Sequence, residues 1–87
     1  MEIVKLSTLK IGECGIIASY SSIIDVKLKR RLLELGFCLG TKIKILNVSL
    51  LNQVALVELN GYVLSVRKNL LKNINVGVEC ERSNLIG

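Results

Sequence analysis

The stretch that decides the fold is Arg31-Leu32-Leu33-Glu34-Leu35-Gly36-Phe37-Cys38-Leu39-Gly40-Thr41, which runs directly into Lys42-Ile43-Lys44-Ile45. Its pattern predicts the end of an amphipathic helix, a short loop with two glycines, and then a strand. Gly36 stands where a helix C-terminus favours a residue with positive φ, and Gly40 marks a second break. From Thr41 onward, apolar and charged residues alternate with the period of a strand.

Upstream of this stretch, the sequence predicts a helix from Val26 to Leu35. Asp25 is a suitable N-cap, because its carboxylate can accept hydrogen bonds from the free N–H groups of the first turn. Leu28, Leu32 and Leu35 recur at i, i+4 and i+7 and predict one buried stripe. The opposite side is charged and comprises Lys27, Arg30, Arg31 and Glu34. We expect the three leucines, together with Gly36 and Gly40, to have structural roles.

The rest of the chain predicts short strands joined by turns. Asn60-Gly61 is typical of a type I′ hairpin, since both residues tolerate positive φ. An extended entry with one helical turn is expected in residues 2–12, and another helical turn from Asn69 to Lys72. The predicted strands are Cys14–Tyr20, Thr41–Val48, Gln53–Leu59, Tyr62–Arg67 and Ile74–Cys80. About five strands with one helix after the first predict a mainly β fold, a small antiparallel barrel whose closure protects its edges.

Length and composition predict one domain with an aliphatic core. With 87 residues, the chain suffices for one domain, which we place at residues 1–80, with a flexible tail at 81–87. Hydrophobic residues make up 51% but aromatic residues only 3%. The apolar runs are too short to cross a bilayer, and the N-terminus does not resemble a signal peptide. We therefore expect a cytoplasmic protein without membrane insertion.

The sequence offers little for catalysis or metal binding. It contains no histidine, and its three cysteines, Cys14, Cys38 and Cys80, lack the spacing of a zinc site. Glu34 and Cys38 could lie close together at the helix end, but two ligands make a poor site. We therefore expect no catalytic residue, no metal site and no cofactor, and the protein is not predicted to be an enzyme.

Several motifs resemble the FeoA family, the ferrous iron transport protein A family, over about residues 6 to 78. Its members typically carry Arg-Leu-x-x-Leu-Gly-x-x-Pro-Gly-Thr before a Val/Ile-rich strand. The residues that match this pattern are Arg31, Leu32, Leu35, Gly36, Gly40 and Thr41, whereas Leu39 replaces the usual proline. Further similarity lies in Leu6, Leu9 and Gly12, in Gly61 through Arg67, and in Ile74 and Val76. The resemblance implies an SH3-like barrel and a partner, FeoB, the membrane transporter with a cytosolic GTPase domain.

One apolar pair is unusual for its position. Leu50-Leu51 falls in a predicted hairpin turn, where Gly, Asn, Asp or Ser is usual. Either the hairpin folds back and buries one leucine, or the pair forms a partner surface. Ile23-Ile24, in the loop before the helix, raises the same question. We predict partner contacts at Leu50, Leu51, Arg30 and Arg31.

The predicted function is that of a cytosolic adaptor that binds and modulates FeoB. Two alternatives remain open: a metal-responsive module related to the C-terminal domain of iron-dependent repressors, and a small nucleic-acid-binding barrel. The net charge of +5 fits an anionic partner or merely a solvated surface. Aromatic residues for base stacking are few, so nucleic acid is not the expected partner. Weak self-association is also left open.

Overall fold

The computed structural model describes residues 2–51 and 53–78, which form six strands, two helices and one 3-10 turn. The strands are β1 (Glu2–Lys5), β2 (Cys14–Tyr20), β3 (Lys42–Ser49), β4 (Val54–Leu59), β5 (Tyr62–Arg67) and β6 (Ile74–Val78). The helices are α1 (Val26–Leu35) and α2 (Lys68–Leu71), and the 3-10 turn is Leu6–Thr8. The predicted tail, residues 81–87, lies outside the described residues.

The strands form one antiparallel sheet in the order β1-β6-β2-β3-β4-β5. Register shifts interrupt the ladders between Ile17 and Ser19 in β2 and between Ile45 and Asn47 in β3. Such irregularities increase local twist. The predicted mainly β, antiparallel fold is confirmed. In the part of the chain that the structure describes, however, the edge strands β1 and β5 do not pair, so the sheet stays open rather than closing fully.

The strand count and several boundaries differ from the prediction. A sixth strand exists because the N-terminal residues pair with β6, from Glu2 opposite Val78 to Lys5 opposite Asn75. Strand β4 begins after Gln53, whose φ of 53° lies outside the extended region. Strand β3 and helix α2 are each shifted by one residue from the predicted bounds. The predicted continuation of β6 to Cys80 lies outside the described residues.

The core is aliphatic, as the composition predicts, with Phe37 as its one fully buried aromatic residue among those described. Alternate residues of β3 and β4 face it, and helix α1 contributes Leu32. The buried residues are Leu6, Ile17, Leu32, Phe37, Ile43, Ile45, Ala55, Val57, Leu59, Val66, Leu71, Ile74 and Val76.

Helix α1 begins and ends where its sequence predicts. The Asp25 carboxylate accepts hydrogen bonds from the backbone N–H groups of Lys27 and Leu28, at 3.0 and 3.3 Å. At the other end Gly36 has a φ of 105°, and its N–H donates to the carbonyls of Leu32 and Leu33. Asn60 and Gly61 both have positive φ, 51° and 83°, as a type I′ turn requires. These turns fix where α1 and the β4–β5 hairpin lie.

Candidate docking surface

The turn between β3 and β4 presents two leucines to solvent. Leu50 is 73% exposed and Leu51 is 95% exposed, so neither is buried by the hairpin folding back. We call this pair the leucine tip. Gln53 makes two hydrogen bonds in the turn that carries these leucines. Its side-chain amide donates to the Leu50 carbonyl at 2.9 Å, and its backbone carbonyl accepts from the Lys68 N–H at 2.9 Å. The leucines thus project from a turn that is anchored to the start of α2.

Helix α1 presents a basic surface at a different place. Arg30 and Arg31 are both exposed, and we call them the arginine pair. On the other side of the helix Leu32 is fully buried, and Leu28 and Leu35 are partly buried against the core. The leucine stripe therefore attaches the helix to the sheet and leaves the arginine pair in water.

The leucine tip and the arginine pair lie on different elements, the β3–β4 turn and helix α1. Helix α1 connects the end of β2 to the start of β3, and its last residue, Leu35, accepts a hydrogen bond from the Tyr62 hydroxyl just beyond the β4–β5 turn. The leucine tip lies at the other end of β4, beside Val54. A strand of 6 residues spans about 17 Å between its first and last Cα atoms. The C-terminal end of α1 and the leucine tip therefore lie at opposite ends of β4.

A second apolar surface lies beside the start of α1. It is a shallow groove of about 470 Å³, whose lining includes Tyr20, Val26, Lys29 and Leu39; we call it the α1 groove. Val26 and Leu39 are exposed, and neighbouring Ile23 is 89% exposed. The sequence pattern points to Ile23-Ile24 as an exposed apolar pair but not to Val26 and Leu39. The available signal was that Val26 lies off the Leu28-Leu32-Leu35 stripe and that Leu39 lies in the loop between Gly36 and Gly40.

Tyr20 links the α1 groove to the loop after the helix. Its hydroxyl donates to the Phe37 carbonyl at 2.5 Å, and the Lys29 ammonium lies 5.4 Å from its ring centroid. This cation–π contact gives Lys29 a partner on the otherwise apolar side of the helix. Burial raises the pKa of the Tyr20 phenol, and the nearby Cys38 thiol, when ionised, raises it further.

Two features favour glycine at position 36: its positive φ, and the close approach of the Tyr62 and Asn60 side chains. A Cβ at this position would collide with the Tyr62 hydroxyl and would lie 3.2 Å from the Asn60 side-chain nitrogen. Gly40 differs, since its φ is 88° but a Cβ there would meet no atom within 4 Å. The sequence predicts that both glycines adopt positive φ. The crowding at Gly36 was not predictable, because Tyr62 and Asn60 are distant from it in sequence.

The described residues contain no group of three or more cysteine and acidic side chains placed to hold a metal ion. Cys14 is half-buried and Cys38 is exposed, and both are free thiols; Cys80 lies outside the described residues. Neither helix in residues 2–51 and 53–78 has the length and apolarity needed to cross a membrane.

Comparison with solved structures identifies close relatives of this fold. A FeoA-like protein from Clostridium acetobutylicum matches with a TM-score of 0.82 at 25% identity, over 98% of this chain and 96% of that chain. The FeoA protein from Chlorobium tepidum matches with a TM-score of 0.76 at 32% identity, over 88% of this chain and 71% of that chain. The FeoA protein of Stenotrophomonas maltophilia, described as an SH3 domain protein, matches with a TM-score of 0.71 at 23% identity, over 84% of this chain and 88% of that chain. This likeness confirms the predicted small SH3-like fold.

A manganese-dependent transcriptional repressor in complex with manganese also matches, with a TM-score of 0.82 at 18% identity, over 91% of this chain and 38% of the repressor. At this identity the likeness is one of fold alone. A comparison with curated proteins found no significant match. The sequence profile of the FeoA domain, in contrast, matches residues 4–78, which is nearly the whole described chain. The chain therefore belongs to the FeoA family.

Proposed function

We propose that this chain is a cytoplasmic accessory protein of ferrous iron uptake that binds the FeoB transporter on its cytosolic side and modulates it. Membership of the FeoA family supports a role in ferrous iron transport. The observation that carries the binding proposal is the leucine tip, where Leu50 and Leu51 are 73% and 95% exposed. No catalytic step is needed, because a protein that binds one state of its partner more tightly shifts the partner toward that state.

The leucine tip has the energetics of a binding anchor. Full burial of a leucine side chain contributes about 1.5–3 kcal/mol, and a few buried anchors typically supply most of the binding free energy of an interface. The hydrogen bonds from Gln53 to Leu50 and from Lys68 to Gln53 already order the turn. Binding therefore loses less conformational entropy than it would at an unstructured loop.

The arginine pair would act mainly on association. Arg30 and Arg31 lie on an exposed helix face of a protein whose net charge is +5. Exposed charges at the rim of an interface accelerate encounter with an acidic surface more than they slow dissociation. Because the arginine pair lies on α1 and the leucine tip on the β3–β4 turn, we expect the two sites to contribute to affinity almost independently.

The test is binding of the full chain to the cytosolic region of the FeoB-type transporter, measured by calorimetry. Leu50→Ser with Leu51→Ser should weaken binding about tenfold or more, since two anchors each worth about 1 kcal/mol are lost. Ile23→Ser is the matched control, because Ile23 is equally exposed and apolar but lies near the α1 groove. Normal binding by the folded double variant, together with loss in the control, would assign the contact to the α1 groove instead.

Reversing the arginine pair should produce a different kinetic signature. Arg30→Glu with Arg31→Glu should slow association, and the effect should shrink as salt is raised. Lys5→Glu with Lys10→Glu changes the net charge equally through exposed residues outside α1. Surface-binding kinetics at low and high salt would compare the two. Equal slowing by both variants would indicate a general charge effect with no specific role for the arginine pair.

A second candidate, which the sequence leaves open, is a metal-responsive regulatory module; the chain shares its fold with the manganese-dependent repressor. It predicts that one manganese or iron ion binds per chain, which elemental analysis of protein from metal-replete medium would detect. The adaptor proposal predicts no tightly bound metal. The third reading, a nucleic-acid-binding barrel, predicts affinity for generic DNA or RNA that falls steeply with salt, and a filter-binding series would measure it.

A further inference from the structure

Strand β5 is an edge of the sheet, and part of its backbone faces away from β4. Its first residue, Tyr62, directly follows the two-residue β4–β5 turn, where the flanking residues exchange hydrogen bonds and such pairs then alternate along the ladder. The Lys68 N–H, which donates to the Gln53 carbonyl, continues this alternation. The N–H and C=O groups of Val63 and Ser65 therefore point away from β4. Among the described residues, no hydrogen bond outside the sheet ladders uses these groups.

The two edges of the sheet differ in how they are protected. Strand β1 has 4 residues, with Glu2 and Lys5 at its ends. Strand β5 has 6 residues, contains no proline, and carries no charge before its last residue, Arg67. Charges, prolines and short length are the usual means by which an edge strand avoids pairing with another chain. Strand β5 is thus the edge that is better suited to accept a further strand.

The solvent face of β5 is open along its length. Val63 is 50% exposed, and Ser65 and Arg67 are exposed as well. On the neighbouring strand β4, exposed Glu58 lies opposite Val63, and Leu56, which is 37% exposed, lies opposite Ser65. This edge therefore offers apolar area, an acid and a base beside its outward backbone groups.

A second copy of the chain, antiparallel and centred on Ser65, matches this edge along a line of contact that we call the seam. Ser65 then lies opposite Ser65 of the second copy, and Val63 lies opposite Arg67 of the second copy, so main-chain hydrogen bonds can form at each pair. The two arginines lie four residues apart along the seam, about 14 Å. A parallel pairing in register would instead place these two cations side by side.

The same register places opposite charges in one row across the seam. Glu58, Val63 and Arg67 of the second copy occupy that row, because Glu58 lies opposite Val63. Two strand spacings, about 10 Å, separate the Cα atoms of Glu58 and this arginine. Their long side chains share one face and can bridge that distance, while the arginine stem covers Val63. Lys44 of β3 lies on the other side of Glu58, so this carboxylate would lie between two cations.

We propose that β5 pairs with β5 of a second copy in this register, so that two chains form a dimer with one continuous sheet. Main-chain hydrogen bonds and symmetric contacts between Glu58 and Arg67 of the two copies hold the seam. Because a single edge strand buries less area than a standard interface, we expect a weak dimer that forms at high protein concentration. The dimer does not involve the leucine tip, so its test is separate from that of the proposed function.

Sedimentation equilibrium of the full chain over a range of concentrations tests dimer formation, and Ser65→Pro tests the seam. Proline lacks the outward N–H and places its ring on that side, but it removes no hydrogen bond to β4. The variant should stay folded by circular dichroism and remain monomeric at concentrations where the unaltered protein dimerises. An unaltered protein that is monomeric at every concentration, or an unchanged dimer in the folded variant, would overturn the proposal.

Charge exchange supplies a second test, which does not depend on whether the proline variant folds. Arg67→Glu should weaken dimerisation about tenfold, because it brings two carboxylates together across the seam. Adding Glu58→Arg to the same chain should restore the dimer, since opposite charges then face each other again. Lys10→Glu is the matched control, because it changes the net charge equally at an exposed position outside β4 and β5. Equal weakening by Lys10→Glu, or no rescue by the second substitution, would contradict the proposal.

Amide hydrogen exchange, followed by nuclear magnetic resonance, locates the interface. The Ser65 amide should exchange more slowly as protein concentration rises, whereas the Leu64 amide, which faces β4, should not change. Protection of Ser65 that is independent of concentration would mean that the chain's own residues cover this edge. That result, or concentration-dependent protection confined to the leucine tip or the α1 groove, would overturn the proposal.

Discussion

At the Leu59 end of β4, residues from distant parts of the sequence pack against each other and form a hydrogen bond. The Tyr62 hydroxyl donates to the Leu35 carbonyl at 2.5 Å, and Gly36 fits against Tyr62 and Asn60 with no room for a Cβ. At the Val54 end, the leucine tip is exposed and its turn is held by hydrogen bonds at Gln53. One strand thus joins a packed junction to a projecting turn, which separates residues that stabilise the fold from residues available for binding.

A large loss of stability should come from the packed junction. Gly36→Val places a β-branched residue at a φ of 105° and drives its Cβ into the Tyr62 hydroxyl. Backbone strain of about 1–3 kcal/mol and the steric clash should together lower the free energy of unfolding by more than strain alone. Urea denaturation would measure it.

Gly40→Val is the matched control, because its φ of 88° imposes strain but a Cβ there meets no atom within 4 Å. The two variants should therefore differ by the cost of the clash. If Gly36→Val is no more destabilising than Gly40→Val, then Tyr62 and Asn60 do not crowd Gly36.

Neighbouring leucines of α1 should respond very differently to truncation. Leu32 is fully buried whereas Leu33 is 42% exposed. Leu32→Ala should therefore cost about 2–5 kcal/mol of stability, the usual range for a buried leucine, and Leu33→Ala should cost much less. Thermal and chemical denaturation of both variants would check this, and equal losses would mean that α1 is rotated from the orientation described.

High pH should weaken the attachment of the loop after α1 to the sheet. Burial and the nearby Cys38 raise the pKa of Tyr20, so folding favours the neutral phenol. This contribution is present below the pKa of an unfolded tyrosine, about 10, and is lost as pH rises through the higher pKa of the folded state. The free energy of unfolding should therefore fall above about pH 10. In Tyr20→Phe the fall should be smaller, and an identical pH profile would remove Tyr20 as its source.

The smallest effect on stability should come from the leucine tip. Leu50→Ser with Leu51→Ser should change the free energy of unfolding by no more than about 0.5 kcal/mol, as expected of exposed positions. Circular dichroism during thermal unfolding would measure it. A large loss would place these leucines in a packed environment and would remove the contrast between the two ends of β4.

Local sequence signals predicted the elements of the fold. The Asp25 cap, the Gly36 terminus and the Asn60-Gly61 turn each depend on residues a few positions apart, and each forms as predicted. Strand β1 was missed as a strand because its pairing with β6 joins opposite ends of the chain. The open sheet likewise depends on how β1 and β5 lie relative to each other, which no local pattern encodes.

The candidate site was only partly predictable for the same reason. Two leucines in a turn are visible in the sequence, and so is a basic helix face. The placement of the leucine tip and of the end of α1 at opposite ends of β4, and the meeting of Val26 and Leu39 beside Tyr20 in the α1 groove, depend on tertiary packing. Local sequence patterns therefore indicate candidate surfaces but not which of them share a side of the protein.

The leucine tip is proposed as the binding anchor, and mapping of methyl resonances would test this role. The full chain, labelled at Leu, Ile and Val methyl groups, is titrated with the cytosolic region of the FeoB-type transporter. We expect the methyl signals of Leu50 and Leu51 to shift or broaden first and most strongly, while buried Leu32 is unaffected. Perturbation centred on Val26 and Leu39, with Leu50 and Leu51 unchanged, would contradict it.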